Sequence, residues 1–203
     1  MITIVDYGMG NLRSVTNALK TLGAPARISS KPQDVASAER LILPGVGAFG
    51  SAMQELESRG LLEPVRSHAV SGKPFLGICL GLQLLFEWSE EGGRVKGLGL
   101  LKGTVRRFAD SPERKVPHMG WNQVKRTSAP PSALVNGLAD GSFFYFVHSY
   151  YAEPQDRSIV QLETDYGVAF PAMIASGSIA ATQFHPEKSQ TAGLALLKRF
   201  AAA

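Results

Sequence analysis

The sequence predicts an α/β fold with a mainly parallel sheet flanked by helices and an added antiparallel portion. Three observations predict it. Up to about residue 100, short β-rich apolar runs alternate with longer amphipathic stretches, the pattern of βαβ units and a parallel sheet. Between residues 103 and 181 the pattern changes to short strand-like runs broken by proline and glycine. A last amphipathic stretch over residues 190–200 predicts a closing helix.

In chain order, residues 2–6, 40–43 and 74–78 read as strands, because each is a short, mainly apolar and β-rich run. Residues 12–22, 50–58, 61–70 and 80–88 repeat their apolar side chains at helical spacing and read as helices. The later strands are expected at 104–108, 122–125, 143–147, 158–163, 168–173 and 179–181. Neither a repeat nor a low-complexity linker interrupts the chain, so residues 1–203 are expected to form one domain.

Composition narrows the function classes. With 44% hydrophobic and 19% charged residues the chain reads as ordinary and globular, not as disordered or fibrous. No apolar run approaches membrane-spanning length, and the first residues run straight into a strand without a signal-peptide pattern. The net charge of +4 is scattered, with no aromatic-interleaved basic run, which argues against nucleic acid as partner. One cysteine forms no internal disulfide, so a cytoplasmic location is expected.

That cysteine, Cys79, lies at the centre of Gly77-Ile78-Cys79-Leu80-Gly81, between an apolar run and a helical-looking segment. A lone cysteine is usually a small core hydrophobe. Here a strand turning sharply into a helix forces the turn residue into a strained conformation, and the flanking glycines remove the Cβ atoms that would collide. The thiol then stands at the strand's carboxyl end, at the positive end of the next helix, where thiolate is favoured. After residues 40–43 comes Pro44-Gly45-Val46-Gly47, whose glycines let backbone N–H groups converge on an oxygen, or simply make a turn.

A nucleophilic cysteine needs a base and a group that orients it. Of the four histidines, His68 sits in a helical stretch and reads as a surface residue, while His118 and His148 lie in strand-like segments and read as hydrogen-bonded structural residues. His185 differs. It follows a strand-like run and precedes Pro186-Glu187, which sets a carboxylate two residues from the imidazole. Glu187 can take the Nδ1–H while Nε2 faces the thiol. Spacing alone leaves a helix cap as the alternative reading of His-Pro-Glu. Gln83, four residues after Cys79, shares its helix face if a helix starts at the turn.

Taken together, Gly77-Ile78-Cys79-Leu80-Gly81 with Gln83, and Gln183-Phe184-His185-Pro186-Glu187, resemble the class I (triad-type) glutamine amidotransferases. Asp6-Tyr7-Gly8-Met9-Gly10-Asn11, Pro44-Gly45-Val46-Gly47, Pro117-His118-Met119-Gly120-Trp121-Asn122, Phe146-Val147-His148-Ser149-Tyr150 and His185-Pro186-Glu187-Lys188-Ser189 are similar to the glutaminase subunits of imidazole glycerol phosphate synthases. The resemblance implies a flavodoxin-like domain and a catalytic set of Cys79, His185 and Glu187. It implies an oxyanion hole from the Leu80 amide and that of Val46 or Gly47, the latter reached through a peptide flip. Glutamine contacts are implied at Gly47, Gln83, Ser149 and Tyr150. It further implies a (βα)8-barrel cyclase partner that receives the ammonia through a channel in histidine biosynthesis, with Asn11, Tyr145 and Lys188 at or near that interface. It implies no cofactor and no metal. Two rival readings are a non-catalytic scaffold of the same fold, disfavoured by the intact Cys79, His185 and Glu187, and a cysteine peptidase, disfavoured by Gln83.

Overall fold

The computed structural model describes residues 1–112 and 114–203. Its elements run β1 (Ile2–Val5), α1 (Leu12–Thr21), β2 (Ala26–Ser29), α2 (Pro32–Ala36), β3 (Arg40–Gly45), α3 (Phe49–Ser58), α4 (Leu62–Val70), β4 (Phe75–Cys79) and α5 (Leu80–Gln83). They continue with β5 (Phe86–Ser89), β6 (Val95–Lys96), β7 (Leu101–Arg107), β8 (His118–Gln123), β9 (Lys125–Arg126), β10 (Phe143–His148), β11 (Tyr150–Pro154), β12 (Val160–Asp165), β13 (Ala169–Ser176), β14 (Ile179–Thr182) and α6 (Gln190–Ala202).

The main sheet has the order β2-β1-β3-β4-β14-β13-β12-β9. Strands β2 to β14 in that order are parallel, and β13, β12 and β9 extend the sheet antiparallel. Because helices cover both faces of its parallel part, β1, β4 and β14 are buried at every residue and are apolar apart from Thr3 and Thr182. Side chains alternate between two cores. Leu41, Leu43 and Phe75 pack on one face with Phe49, Leu56 and Val65 from α3 and α4. Ile42, Leu76 and Ile78 pack on the other with Val15 and Leu19 of α1 and with Leu196, Leu197 and Phe200 of α6. A second sheet, β11-β7-β5-β6, is mixed, with β5 and β7 parallel and its other two pairs antiparallel, and a separate β8–β10 ribbon is antiparallel.

The expected helix over 80–88 is corrected. Only Leu80–Gln83 is helical, and Phe86–Ser89 is a strand that pairs with β6 and β7. Leu82, Leu84, Leu85 and Phe86 are all buried, so tertiary packing overrides the helical spacing, and the β-favouring Phe86 and Trp88 join the second sheet. The strand expected at 122–125 is divided between β8 and β9, with buried Val124 at the junction. His68 is also corrected: it is 1% exposed on the inner face of α4, with Nε2 3.2 Å from the Pro74 carbonyl oxygen. Burial pushes its pKa down. Short elements β2, α2, β5, β6 and β11 were not expected from the sequence, and none of the described helices is long and apolar enough to cross a membrane.

Candidate functional site

Cys79 ends β4 with φ 55° and ψ −107°, a backbone conformation that non-glycine residues rarely adopt. The flanking glycines explain how the turn closes. A Cβ at Gly81 would lie 1.9 Å from the Leu43 carbonyl oxygen, and one at Gly77 would lie 2.7 Å from the Gly81 carbonyl oxygen. The thiol thus sits where β4 turns into α5, and Leu80, at the first position of α5, has no acceptor within the helix for its N–H.

The adjacent strand supplies the second loop. Gly45 of β3 lies directly beside Cys79 in the parallel register. The Tyr7 hydroxyl donates to the Pro44 carbonyl at 2.8 Å and fills the space where a Gly45 Cβ would stand. Burial, with the nearby Cys79 charge, keeps that phenol protonated. Gly47 has φ +94°, and the Val46 N–H is directed at the Met9 carbonyl oxygen, 3.4 Å away. The Val46 amide is therefore engaged at the turn rather than free toward the thiol.

His185 follows β14, which pairs with β4 on its other side. Its Nδ1 lies 2.8 Å from Glu187 Oε1, and both side chains are almost wholly buried. A Nδ1–H donating to that carboxylate leaves Nε2 on the thiol side. Nε2 itself is buried without a hydrogen-bond partner, as is Glu187 Oε2. Burial opposes a charge on the ring, but the Cys79 sulfur and the Glu187 carboxylate outweigh it and raise the pKa to about 10. The loop is tied to the ribbon: His185 N–H donates to the Tyr145 carbonyl, and the Ser189 hydroxyl bridges the His185 carbonyl and the Tyr145 N–H.

A cavity of about 440 Å³ opens over the thiol, lined by Val46, Gly47, Cys79, Leu80, Gln83, Ser149 and Tyr150, all singled out from the sequence, together with Glu91, Pro117, Val147 and His148. It is large enough for a small-molecule ligand. Glu91 escaped the sequence reading because it lies in a hairpin with no motif of its own. Among the described residues its carboxylate is the only one lining the cavity, and it accepts the Phe49 N–H at the start of α3 at 2.7 Å. A second cavity, of about 380 Å³, lies near the opposite ends of β4 and β14, lined by Phe75, Ile179, Phe200 and the 130–134 loop, far from any of these groups.

Behind the thiol, Gln83 Nε2 donates to the Tyr150 carbonyl at 2.9 Å and to Gln183 Oε1 at 3.1 Å. The Tyr150 carbonyl also lies 2.8 Å from His148 Nδ1, and His148 Nε2 lies 3.1 Å from His118 Nδ1. The structure thus agrees with His118 and His148 as hydrogen-bonded structural residues. Burial lowers the pKa of His118 to about 4; burial, with the charges of His118 and His185, lowers that of His148 to about 3. Both rings are neutral at pH 7.

The remaining residues lie outside the cavity. Asn11 caps α1, its Oδ1 accepting from the Ser14 N–H at 3.4 Å. Lys188 places its ammonium 5.7 Å from the Tyr145 ring centroid. Tyr145 lies opposite Trp121 in the β8–β10 ribbon and shares its open face with exposed Met119, Trp121 and Phe143.

Comparison with known proteins places this geometry. Residues 3–203 match the family described as Glutamine amidotransferase class-I. An imidazole glycerol phosphate synthase subunit HisH of Rhodopirellula baltica is 55% identical over 203 residues, covering 100% of this chain and 98% of the relative. The subunit of the same name from Methanothermobacter thermautotrophicus is 54% identical over 98% of this chain and 97% of its own length. In fold, the chain is similar to a crystal structure of a glutamine amidotransferase, with a TM-score of 0.77 at 20% identity and full coverage of both chains. It is also similar to a structure of PurLQS from Thermotoga maritima, with a TM-score of 0.71 at 19% identity over 98% of this chain and 96% of that one.

Proposed function

Because the chain belongs to the class-I glutamine amidotransferases and, within them, to the HisH subunits of imidazole glycerol phosphate synthase, we propose that Cys79, His185 and Glu187 are the triad with which it hydrolyses glutamine for histidine biosynthesis. The observation that carries this reading is the buried His185 imidazole, set with its Nδ1 2.8 Å from Glu187 Oε1 after the strand that pairs with the one ending in Cys79.

The mechanism follows from the geometry. With the proton on His185, the Cys79 sulfur is available as thiolate and attacks the side-chain amide carbon of glutamine. The carbonyl electrons move to oxygen, giving a tetrahedral oxyanion. The Leu80 N–H, without a partner inside α5, is one donor to it. The second comes from the Val46–Gly47 turn, which first has to release Val46 from the Met9 carbonyl. Such a donor contributes about 3 kcal/mol of transition-state stabilisation. His185 Nε2–H then protonates the amide nitrogen, the C–N bond breaks and ammonia leaves. In the second half the same nitrogen takes a proton from water as it attacks the thioester, the C–S bond breaks and glutamate departs. Glu187 fixes the tautomer and balances the imidazolium throughout.

Glutamine is held by Gly47, Gln83, Ser149 and Tyr150, and Glu91 is the carboxylate that can accept its α-ammonium group. Free ammonia at neutral pH is mostly ammonium, which is no nucleophile, so a partner must take the product before it meets water. That partner is a (βα)8-barrel cyclase, docked on the Met119–Trp121–Phe143–Tyr145 face with Lys188 and Asn11 at its margin. The engaged Val46 amide supports a site that is quiet until the cyclase is bound.

The test is glutamate release by the chain alone and mixed with the barrel cyclase and its nucleotide ligand, with Cys79→Ala as control. Turnover that depends on Cys79 and rises sharply in the mixture is the expected result. Turnover that persists in Cys79→Ala would refute the triad, and turnover indifferent to the cyclase would refute the partner.

A further inference from the structure

We propose that Gln183 is a further catalytic residue, whose side-chain N–H donates to the Cys79 sulfur and stabilises it as an anion. Gln183 follows β14 and is completely buried. Its main chain is fixed by its N–H on the Ala172 carbonyl at 2.8 Å, and its Nε2 lies 3.8 Å from Cys79 Sγ.

The orientation of that amide is dictated, not chosen. A backbone carbonyl can only accept, so the Gln83 nitrogen must face Tyr150 O. The same nitrogen lies 3.1 Å from the Gln183 side chain, which must therefore present its oxygen there. The Gln183 nitrogen is left pointing at sulfur. The far side of the Tyr150 carbonyl closes consistently: His148 Nδ1–H donates to it, His148 Nε2 accepts from His118, and His118 Nε2 accepts from Asn122, which also donates to the Asp165 carbonyl. Every group in this network has one admissible role, so flipping the Gln183 amide would set its nitrogen against the Gln83 nitrogen.

The second contact of the sulfur explains why a donor matters. Cys79 Sγ lies 3.8 Å from the Val147 carbonyl oxygen, a suitable acceptor for an S–H proton. Once that proton has moved to His185, the carbonyl offers the anion nothing, whereas the Gln183 N–H does. Gln183 does not line the cavity and reaches glutamine only through Gln83, which keeps its own bond to the Tyr150 carbonyl, so its main effect falls on the nucleophile.

The inference rests on Cys79 being the nucleophile, and the experiment separates the two. Because the chain has one cysteine, alkylation by iodoacetamide reports on Cys79 alone. Gln183→Met removes the donor at similar volume, and Gln183→Glu replaces it with an acceptor. Both variants should alkylate about tenfold more slowly than the unmodified chain at the same neutral pH, Gln183→Glu the slower of the two. In the complex with the cyclase, kcat for glutamine should fall by a similar factor with KM within about twofold. A thermal melt establishes that each variant is folded under assay conditions. Alkylation of either folded variant at the unmodified rate overturns the inference, as does a loss confined to KM. If the unmodified chain and cyclase release no glutamate, the proposed function fails while the alkylation rates still decide the role of Gln183.

Discussion

Acid should destabilise this protein through two neutral histidines. His118 and His148 are buried against Phe108, Phe146 and Phe170, and their hydrogen bonds admit only one proton between the two facing nitrogens. Their folded pKa values, about 4 and about 3, lie below the ordinary 6.5. The unfolded chain therefore binds protons that the fold refuses, and stability is lost as pH drops below about 6.5, down to the folded values. Each unit of pH between those limits costs about 1.4 kcal/mol per histidine. At about pH 5 this gives about 2 kcal/mol for His148 and, discounted because His118 lies nearer the surface, about 1 kcal/mol for His118. The sum, about 3 kcal/mol, is a large part of an ordinary folding stability of about 5–15 kcal/mol. The assay is urea unfolding at neutral and mildly acid pH for the unmodified chain and for His118→Asn/His148→Asn. The double variant should start lower and lose about 3 kcal/mol less over the same interval. Parallel losses in the two proteins would refute the reasoning, as would histidine NMR titrations with both rings near 6.5.

Three further outcomes are expected. Glu187→Gln keeps the size of the side chain but removes the carboxylate beside His185, so the imidazolium is held less firmly and glutamine turnover in the complex should fall at least about 100-fold; an unchanged steady-state kcat counts against the triad. Gly81→Ala must push a Cβ into the Leu43 carbonyl oxygen, a cost of about 3 kcal/mol or more that a shifted urea midpoint reports, accompanied by slower alkylation of Cys79 as the turn relaxes; wild-type stability would show that the turn does not need glycine. Trp121→Ala removes a half-exposed indole from the ribbon face and should weaken cyclase binding by roughly 30-fold in calorimetry, with Cys79 alkylation in the isolated chain unchanged; an unaltered Kd would move the interface elsewhere.

The sequence announced the parallel half of the fold because strands buried on both faces leave apolar runs that no flanking element disguises, as in Leu41-Ile42-Leu43 and Phe75-Leu76-Gly77-Ile78. It misled over 80–88 because apolar residues at helical spacing there are equally able to form a buried strand. Only the pairing of Phe86–Ser89 with β7 decides it. His68 was misread because its helix turns toward the core a ring whose partner, the Pro74 carbonyl, lies beyond the helix end. Within the site, Cys79, His185 and Glu187 were legible because turn glycines and His-Pro-Glu spacing are local signals. Glu91 was not, since it reaches the cavity through the fold of a hairpin, and the pairing of Gln183 with Gln83 is a contact that sequence position alone cannot reveal.

The sheet explains how residues so distant in sequence keep their spacing. Strands β3, β4 and β14 are consecutive neighbours, with Gly45 opposite Cys79 and Thr182 opposite Ile78. The turn after β3, the thiol at the end of β4 and the imidazole after β14 thus stand at the carboxyl ends of adjacent parallel strands, about 4.8 Å apart from one strand to the next. Everything from β5 to β13 is inserted between the strand that carries Cys79 and the strand that leads to His185, yet leaves their register untouched. That insertion brings Tyr150, His148 and the exposed ribbon, and it meets the helix after β4 at the Tyr150 carbonyl, where Gln83 and His148 both donate. The placement of Cys79 against His185 and Glu187 is consequently a property of the parallel sheet. The proposed response to the cyclase is a property of the insertion, and a shift of the ribbon has a direct path to the sulfur through Gln83 and Gln183.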